Sequence, residues 1–281
     1  MATRELSAFE ELLVADAIGD RLWLYSNYHC NLTCEYCLTG SSPRSARREL
    51  GAERMVRLAD QARDVGFRRL GVTGGEPMLN TFMPEVALEL AARLPLVLLT
   101  NGTLFTPRLL RRVAPFADAE IALQISLDSA DPIENDTMRG PENFAKVVGA
   151  VERLVAAGIA VRIATTVSSQ TPGELERLRS LVAGLGVSAE DHLVRPIIAR
   201  GRAAEHGLGV AAGQPELFPE LTITSDGAYW SPFGATATPG RPLDTEMLLT
   251  RQIEPLSRPL AVLVTQLRAT PASEDALIGI R

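Results

Sequence analysis

The 281-residue sequence has almost no lysine, little cysteine, no long apolar run and no excess of positive charge. Lys146 is its one lysine, so a Schiff-base mechanism would have to use that residue. The formal net charge of −6 argues against a protein that mainly binds nucleic acid, because such domains are usually basic. The longest apolar runs, such as 94–99, are far shorter than the ~18 residues that a membrane-spanning helix needs. We therefore expect neither nucleic acid nor a membrane as a partner.

The N-terminal segment and the three cysteines bear on the cellular compartment. Residues 1–19 mix acidic and apolar side chains and lack the basic-then-apolar order of a signal peptide. We therefore expect a cytoplasmic protein, whose thiols stay reduced and free to bind metal. Cys30, Cys34 and Cys37 lie within eight positions, and an odd number clustered this tightly is not typical of a disulfide framework.

Short β-rich segments alternate with longer helical ones between about residues 20 and 200. The strands are predicted at 22–28, 69–73, 96–100, 121–127, 161–167 and 192–198, and the helices at 51–65, 83–93, 107–113, 143–157 and 172–185. Because this alternation repeats about six times, the sequence predicts an α/β fold with a parallel sheet, either open or a partial barrel.

The alternation of strands and helices stops after the sixth predicted strand. Residues 201–213 are rich in glycine and alanine and are predicted as a connection. A β-hairpin is predicted where Asp226-Gly227 separates two short β-prone segments. The sequence therefore divides into a helical lead-in at 1–19, a core domain at 20–205 and a small α+β appendage at 206–281.

The cysteine spacing, Cys30-x3-Cys34-x2-Cys37, follows directly on the first predicted strand. Thiolates are the usual ligands of iron–sulfur clusters, which normally take four. With three cysteines in the chain, one iron would be open to a small molecule, as at a catalytic metal. A structural zinc site that includes His29 is an alternative, although adjacent residues rarely bind one metal. Three unrelated buried thiols are another, although the loop is polar.

Further motifs follow the next strands, in order along the chain. They are Gly74-Gly75-Glu76-Pro77, Thr100-Asn101-Gly102, Ser126-Leu127-Asp128-Ser129 and Asn135-Asp136-Thr137-Met138-Arg139-Gly140. Together with the cysteine loop they resemble the radical S-adenosylmethionine (SAM) family over about residues 20–205. The predicted hairpin is similar to that of a SPASM or twitch extension. The resemblance implies a partial (β/α)6 barrel with a C-terminal appendage.

The resemblance also implies the cofactors. Cys30, Cys34 and Cys37 would hold one [4Fe-4S] cluster, whose unique iron would bind the amino and carboxylate groups of SAM. One electron, from a donor such as flavodoxin or ferredoxin, would cleave SAM to methionine and a 5′-deoxyadenosyl radical. That radical would abstract a hydrogen atom from the substrate.

Nine residues are candidates for cofactor binding: Tyr36, Gly74, Gly75, Glu76, Asn101, Ser126, Asp128, Arg139 and Arg195. The two glycines let the backbone approach SAM closely, and the neighbouring glutamate is available to its amino group. The tyrosine resembles a family aromatic near the adenine, and simple packing under the loop is its other reading. Asn101 could contact a ligand or form a turn with Gly102.

The remaining candidates are polar residues at or near strand ends. Ser126 and Asp128 share a strand face and suit the ribose or methionine part of SAM, unless the aspartate only caps a turn. Arg139 matches a carboxylate, and a surface salt bridge with Asp136 or Glu142 is the alternative. Arg195, mid-strand, needs a partner that SAM, substrate or a buried carboxylate could supply.

Two positions depart from the family pattern. Asn135 stands where many extended members have histidine, which puts any role of an imidazole there in doubt. Ser231-Pro232-Phe233 stands where extended members have a cysteine, and no cysteine follows Cys37. We therefore expect an extension without an auxiliary cluster that caps the barrel and shapes the substrate pocket, or only covers an edge strand.

The leading functional hypothesis is a radical SAM enzyme that tailors a small molecule, such as a sugar, nucleoside or natural-product intermediate. Dehydrogenation, epimerisation and decarboxylation are all possible outcomes. The alternative is a peptide-modifying maturase, against which stand the 29 residues before Cys30 and the lack of auxiliary cysteines. A non-catalytic zinc or iron–sulfur protein is a third hypothesis, disfavoured by the Gly-Gly-Glu-Pro turn.

Overall fold

The computed structural model describes residues 2–167, 170–211, 217–237 and 242–269. The helices in these ranges are α1 (Ala2–Val14), α2 (Ala52–Asp64), α3 (Met83–Ala91), α4 (Pro107–Val113), α5 (Pro132–Arg139), α6 (Asn143–Ala156), α7 (Pro172–Gly184), α8 (Gly201–Glu205), α9 (Pro242–Met247) and α10 (Ser257–Ala269). The strands are β1 (Arg21–Tyr25), β2 (Arg69–Thr73), β3 (Leu96–Thr100), β4 (Ile121–Ser126), β5 (Ala160–Val167), β6 (His192–Pro196), β7 (Thr222–Thr224), β8 (Gly227–Tyr229) and β9 (Leu248–Thr250).

Strands β1 to β6 form a parallel sheet in sequential order, with helices in the crossovers. Each strand pairs with the one before it, so all six carboxyl ends lie at the same edge. The prediction of a partial α/β barrel is confirmed. Ligand sites of such folds lie at this edge, which is where the predicted motifs occur.

Helix α5 was not predicted, and its sequence explains why. It reads Pro-Ile-Glu-Asn-Asp-Thr-Met-Arg, and its two buried residues are Asn135 and Arg139 rather than apolar side chains. No apolar stripe therefore marks it. Asp131 begins the helix, because its carboxylate accepts the backbone N–H groups of Ile133 and Glu134 and Pro132 occupies the first turn.

The C-terminal segment continues the main sheet. The predicted hairpin is present as β7 and β8, and β7 pairs in parallel with β1 through Trp23–Thr222 and Leu24–Ile223. Strand β9 then pairs with β8. The extension thus covers the β1 edge of the barrel, and a domain boundary near residue 205 stays a proposal. Helix α8 lies within the segment predicted as a connection, so that prediction was wrong for its first residues.

Trp23 closes the bottom of the barrel interior. Its ring lies over Gly71, its partner on β2, where a Cβ atom would overlap the indole. The indole N–H donates to the Glu220 carboxylate at 3.0 Å, and the Arg21 guanidinium lies 5.2 Å from the ring centroid. An acidic side chain is therefore buried beneath the cavity, at the end of the barrel opposite the motifs.

The burial of Glu220 makes stability depend on pH. Burial raises its pKa to about 7, although Arg21 and the indole hydrogen bond oppose the shift. Because this value exceeds the pKa of about 4.3 in the unfolded chain, the folded state holds the proton more tightly. The resulting stability is present below the unfolded pKa and lost as pH rises through 7.

We expect this loss to amount to about 3 kcal/mol of the free energy of unfolding, measured by urea denaturation at pH 4.5 and pH 8. The Glu220→Gln variant keeps an acceptor for the indole and cannot ionise, so the loss is read as the difference between the two proteins. Parallel pH profiles of wild type and variant would contradict the assignment.

Candidate active site

A cavity opens at the carboxyl edge of the parallel sheet. Its walls include all three cysteines and seven of the nine candidate residues, namely Tyr36, Gly74, Gly75, Asn101, Ser126, Arg139 and Arg195. The other two, Glu76 and Asp128, are fully buried and are not among the described residues that line it. The folded chain therefore brings the separate sequence motifs to one place.

The surroundings of the cysteines suit an iron–sulfur cluster. The backbone N–H of Leu32 donates to Cys30 Sγ at 3.4 Å, and the Asn101 amide to the same sulfur at 3.8 Å. Cys37 Sγ lies 3.2 Å from Thr39 Oγ1. Donors of this kind stabilise the sulfur ligands of such clusters. The residues present therefore fit the group that the motifs imply.

The three cysteines line one cavity, and a [4Fe-4S] cluster takes one thiolate on each of three irons, not three thiolates on one metal ion. Among the described residues, no three His, Cys, Asp or Glu side chains are placed to hold a single metal ion. Burial raises the pKa of Cys30 to about 12 and also raises that of Cys34. The thiolates that bind iron therefore need the positive charge of the metal to form.

The Gly-Gly turn packs directly against the chain that enters the cysteine loop. Gly75 N donates to the Asn27 carbonyl at 3.0 Å, and Glu76 N donates to the His29 carbonyl at 2.9 Å. Gly74 has a φ of +140°, and a Cβ atom on Gly75 would overlap the His29 carbonyl. The turn thus requires glycine for close approach of two backbones.

The buried carboxylate of Glu76 links the turn after β2 to the end of β3. Its carboxylate accepts the Asn101 N–H at 2.7 Å, the Thr100 hydroxyl at 2.8 Å and the Met78 N–H at 2.9 Å. Burial raises its pKa, while these hydrogen bonds lower it. Contact between this carboxylate and the SAM amino group stays a prediction; in the described structure it positions the turn relative to β3.

Asn101 both forms a turn and lines the cavity. Its side-chain oxygen accepts the backbone N–H of Thr103 at 3.0 Å, and its amide donates to Asn31 Oδ1 at 2.8 Å. The side-chain oxygen of Asn101 therefore forms the predicted turn, while its NH2 group points toward the cysteine loop. A role in ligand binding is compatible with this position and stays a prediction.

Asp128 and Arg139 form a buried ion pair beside Tyr36. The carboxylate lies 3.1 Å from Arg139 Nη1, accepts the Thr166 N–H at 2.8 Å and also accepts the Tyr36 hydroxyl. Burial alone lowers the pKa of Arg139, but Tyr36, Cys34 and Asp128 together raise it. The predicted alternative of a surface salt bridge with Asp136 or Glu142 is wrong, because the guanidinium is buried with Asp128.

Ser126 lies within β4, whereas Asp128 lies beyond its end, so the two side chains do not share a strand face. Ser126 is the last residue of β4 and lines the cavity, whereas Asp128, two residues later, lies beneath the wall. Alternation of faces no longer holds past the end of the strand. A contact of Asp128 with SAM stays a prediction, and its observed partners are protein groups.

Arg195 on β6 faces the cavity without a hydrogen bond or ion pair to any described residue. Burial lowers its pKa, while Tyr36 and Asp128 raise it. The alternative of a structural pair with a buried carboxylate finds no partner in the described part of the chain. The cation is therefore placed to meet a bound anion.

Arg202 braces the cysteine loop and was missed in the sequence. Its backbone N–H donates to the Cys37 carbonyl at 2.9 Å, and its guanidinium donates to the carbonyls of Cys34 at 2.6 Å and Ser41 at 2.8 Å. Nothing in a segment rich in glycine and alanine marks one arginine among several. The loop is thus held by a residue more than 160 positions away.

The extension reaches the cavity through the segment where the family pattern has a cysteine. The Tyr25 hydroxyl donates to the Pro232 carbonyl, and Phe233 lines the cavity. Ala237 N donates to the Thr39 carbonyl at 2.6 Å. An aromatic ring therefore occupies the barrel mouth beside the cysteine loop.

Several known proteins are similar to this chain. Mycofactocin maturase MftC of Mycolicibacterium smegmatis is 31% identical over 180 residues, which are 63% of this chain and 44% of the relative. The antilisterial bacteriocin subtilosin biosynthesis protein AlbA of Bacillus subtilis is 30% identical over 181 residues, 64% of this chain and 40% of that protein. The chain thus spans less than half the length of these relatives.

A solved structure supports the fold, and a family model supplies the family. Streptococcus suis SuiB, in a structure with its precursor peptide SuiA, matches with a TM-score of 0.64 at 13% identity, covering 97% of this chain and 79% of that chain. In the described residues no helix is long and apolar enough to cross a membrane.

The Radical SAM superfamily model matches residues 24–182, more than half of the sequence. This chain is therefore an enzyme of the Radical SAM superfamily, with a [4Fe-4S] cluster and SAM as its cofactors.

Proposed function

We propose that this chain is a peptide-modifying radical SAM enzyme. The observation that carries the proposal is the cavity in which the cysteine loop, the Gly-Gly turn and two arginines meet under one aromatic ring of the extension. Such a cavity binds a cofactor at its mouth and leaves polar groups deeper inside for a second molecule.

A peptide substrate is favoured over the small molecule that the sequence suggested first. The two relatives above are named as a maturase and a bacteriocin biosynthesis protein, and the SuiB structure contains a precursor peptide. The lack of auxiliary cysteines does not oppose this proposal, because backbone pairing joins β7 to β1 and to β8.

A cluster and SAM bound here would supply a 5′-deoxyadenosyl radical for hydrogen abstraction. The chain's own residues hold and enclose the reactants. Cys30, Cys34 and Cys37 would hold the cluster, and the backbone of the Gly-Gly turn would lie against SAM. Arg139, oriented by its ion pair with Asp128, would bind the carboxylate of SAM. Phe233, buried in the cavity wall, would exclude water from the part of the cavity that it lines.

Deuterium transfer tests the proposal. The protein is purified anaerobically, reconstituted with iron and sulfide, and reduced. It is then given SAM and one of three deuterated fractions from cells that produce this protein: peptides, sugars or nucleosides. We expect 5′-deoxyadenosine to form and to acquire deuterium from the peptide fraction. Deuterium from sugars or nucleosides instead would favour the small-molecule hypothesis and refute the peptide substrate.

Two variants serve as controls. Cys34→Ala removes one cluster ligand, so 5′-deoxyadenosine should fall to background. Thr33→Ala changes the adjacent, exposed side chain and should retain the wild-type rate. Intact SAM in all samples, including the wild type, would argue against the enzyme altogether.

A further inference from the structure

One polar side chain in the cavity wall has no partner of its own. Gln124 lies in the middle of β4 and is 2% exposed. Both Nε2 and Oε1 lack a hydrogen-bond partner among the described residues. The same side chain lines the cavity. A donor and an acceptor are therefore buried together, unsatisfied and next to empty space.

The position of Gln124 places it deeper in the barrel than the cofactor motifs. It precedes Ser126 by two residues on β4, so both side chains share the interior face. Its register partner on β3 is Leu99, an apolar residue that also lines the cavity. Buried polar groups are normally hydrogen-bonded, because leaving them unpaired is costly. An apolar residue would fill this position better unless a ligand uses the amide.

The chemistry of a carboxamide defines the ligand. It presents one acceptor and one donor side by side and carries no charge. The complementary pair is the N–H and C=O of one residue in an extended peptide, because these two groups belong to the flanking peptide units and point to the same side. An anion has no donor to offer Oε1, and a cation has no acceptor to offer Nε2.

We propose that Gln124 binds the backbone of the peptide substrate and positions the residue that loses hydrogen. This inference rests on the proposed function and adds the contact by which the cavity recognises a peptide. The amide reads the backbone and not a side chain, so it selects peptides as a class. Arg195, the unpaired cation of the same cavity, is then available for an acidic group of that substrate.

Binding of a minimal peptide unit tests the proposal. The probes are N-acetylalanine N′-methylamide and O-acetyllactic acid N′-methylamide, which differ only in that an oxygen replaces the alanine N–H. Saturation-transfer NMR titrations use the reconstituted, unreduced enzyme with SAM bound. We expect the alanine probe to bind about fivefold more tightly than the lactate probe, and Gln124→Met to bind both alike. No discrimination by the wild type, or unchanged discrimination by the variant, would overturn the proposal.

Two further measurements separate other roles of this side chain. Gln266→Met on α10 is the matched control, since it changes a glutamine outside the cavity lining. With no internal bond to lose, Gln124→Met should keep or raise the melting temperature, and a drop well beyond the control would mean a structural role. A tenfold loss of SAM affinity would assign the amide to the adenine edge, which offers the same donor and acceptor.

The outcome does not depend on turnover. Binding and melting are measured on unreduced protein, so failure to form 5′-deoxyadenosine would refute the proposed function and leave the amide contact measurable. Conversely, an active peptide-modifying enzyme whose Gln124→Met variant discriminates like wild type would refute only this contact.

Discussion

We expect Gly75→Ala to impair cluster assembly strongly while leaving the rest of the barrel folded. The new Cβ atom would overlap the backbone of Tyr28 and His29, which cannot move aside like a flexible side chain. The shift would also break the hydrogen bonds from Gly75 and Glu76 to the chain just before Cys30. Misplacement of about 1 Å at a reaction centre can cost about a hundredfold in rate, and we expect at least that loss of 5′-deoxyadenosine formation.

Iron content, the visible absorbance of the reconstituted protein and 5′-deoxyadenosine yield check this expectation. Gly173→Ala is the matched control, because a Cβ atom there, in α7, meets nothing within 4 Å. That variant should keep its iron and gain about 0.5–1 kcal/mol of stability. A Gly75→Ala protein with wild-type iron and activity would show that the turn tolerates a side chain.

Asp128→Ala should destabilise the fold by about 3–5 kcal/mol, because it leaves the buried Arg139 guanidinium without its carboxylate. The Thr166 N–H and the Tyr36 hydroxyl also lose their acceptor. Urea denaturation measures the free energy of unfolding. Glu85→Gln is the control, since it breaks an exposed ion pair with Arg112 that is worth about 0–1 kcal/mol.

A second variant keeps the test informative if Asp128→Ala does not fold. In Asp128→Asn/Arg139→Met both charges are removed, so the uncompensated guanidinium is gone. We expect the double variant to recover most of the stability lost by Asp128→Ala, because replacing both members of a buried pair is often near neutral. Equal losses in both proteins would mean that packing, and not charge, dominates at this site.

The succession of strands and helices and the cysteine loop were predictable because local patterns mark them. Short β-prone segments alternate with helices, and the three cysteines share one loop, so neither depends on distant residues. The hairpin of β7 and β8 was likewise marked by Asp226-Gly227. The pairing of β7 with β1 was not predictable, because nothing in a strand of three residues identifies a partner strand about 200 positions away.

The sequence indicates which residues share the site better than it indicates how deeply each side chain is buried. Glu76 and Asp128 follow strand ends, where alternation stops, and each turned out to serve protein donors. Gln124 sits in a strand that otherwise reads as apolar, and its unpaired state appears only when its neighbours are known. Arg202 is recognised only through its contacts with the cysteine loop.

The bracing of the cysteine loop has a consequence for biosynthesis. The three cysteines leave the ribosome early, but Arg202 and Ala237, which bond to the carbonyls of their loop, follow 165 and 200 positions after Cys37. Loops closed over such distances form late in folding. We therefore expect the cluster to be inserted only after Ala237 has been synthesised, which leaves the thiols open to oxidation until then.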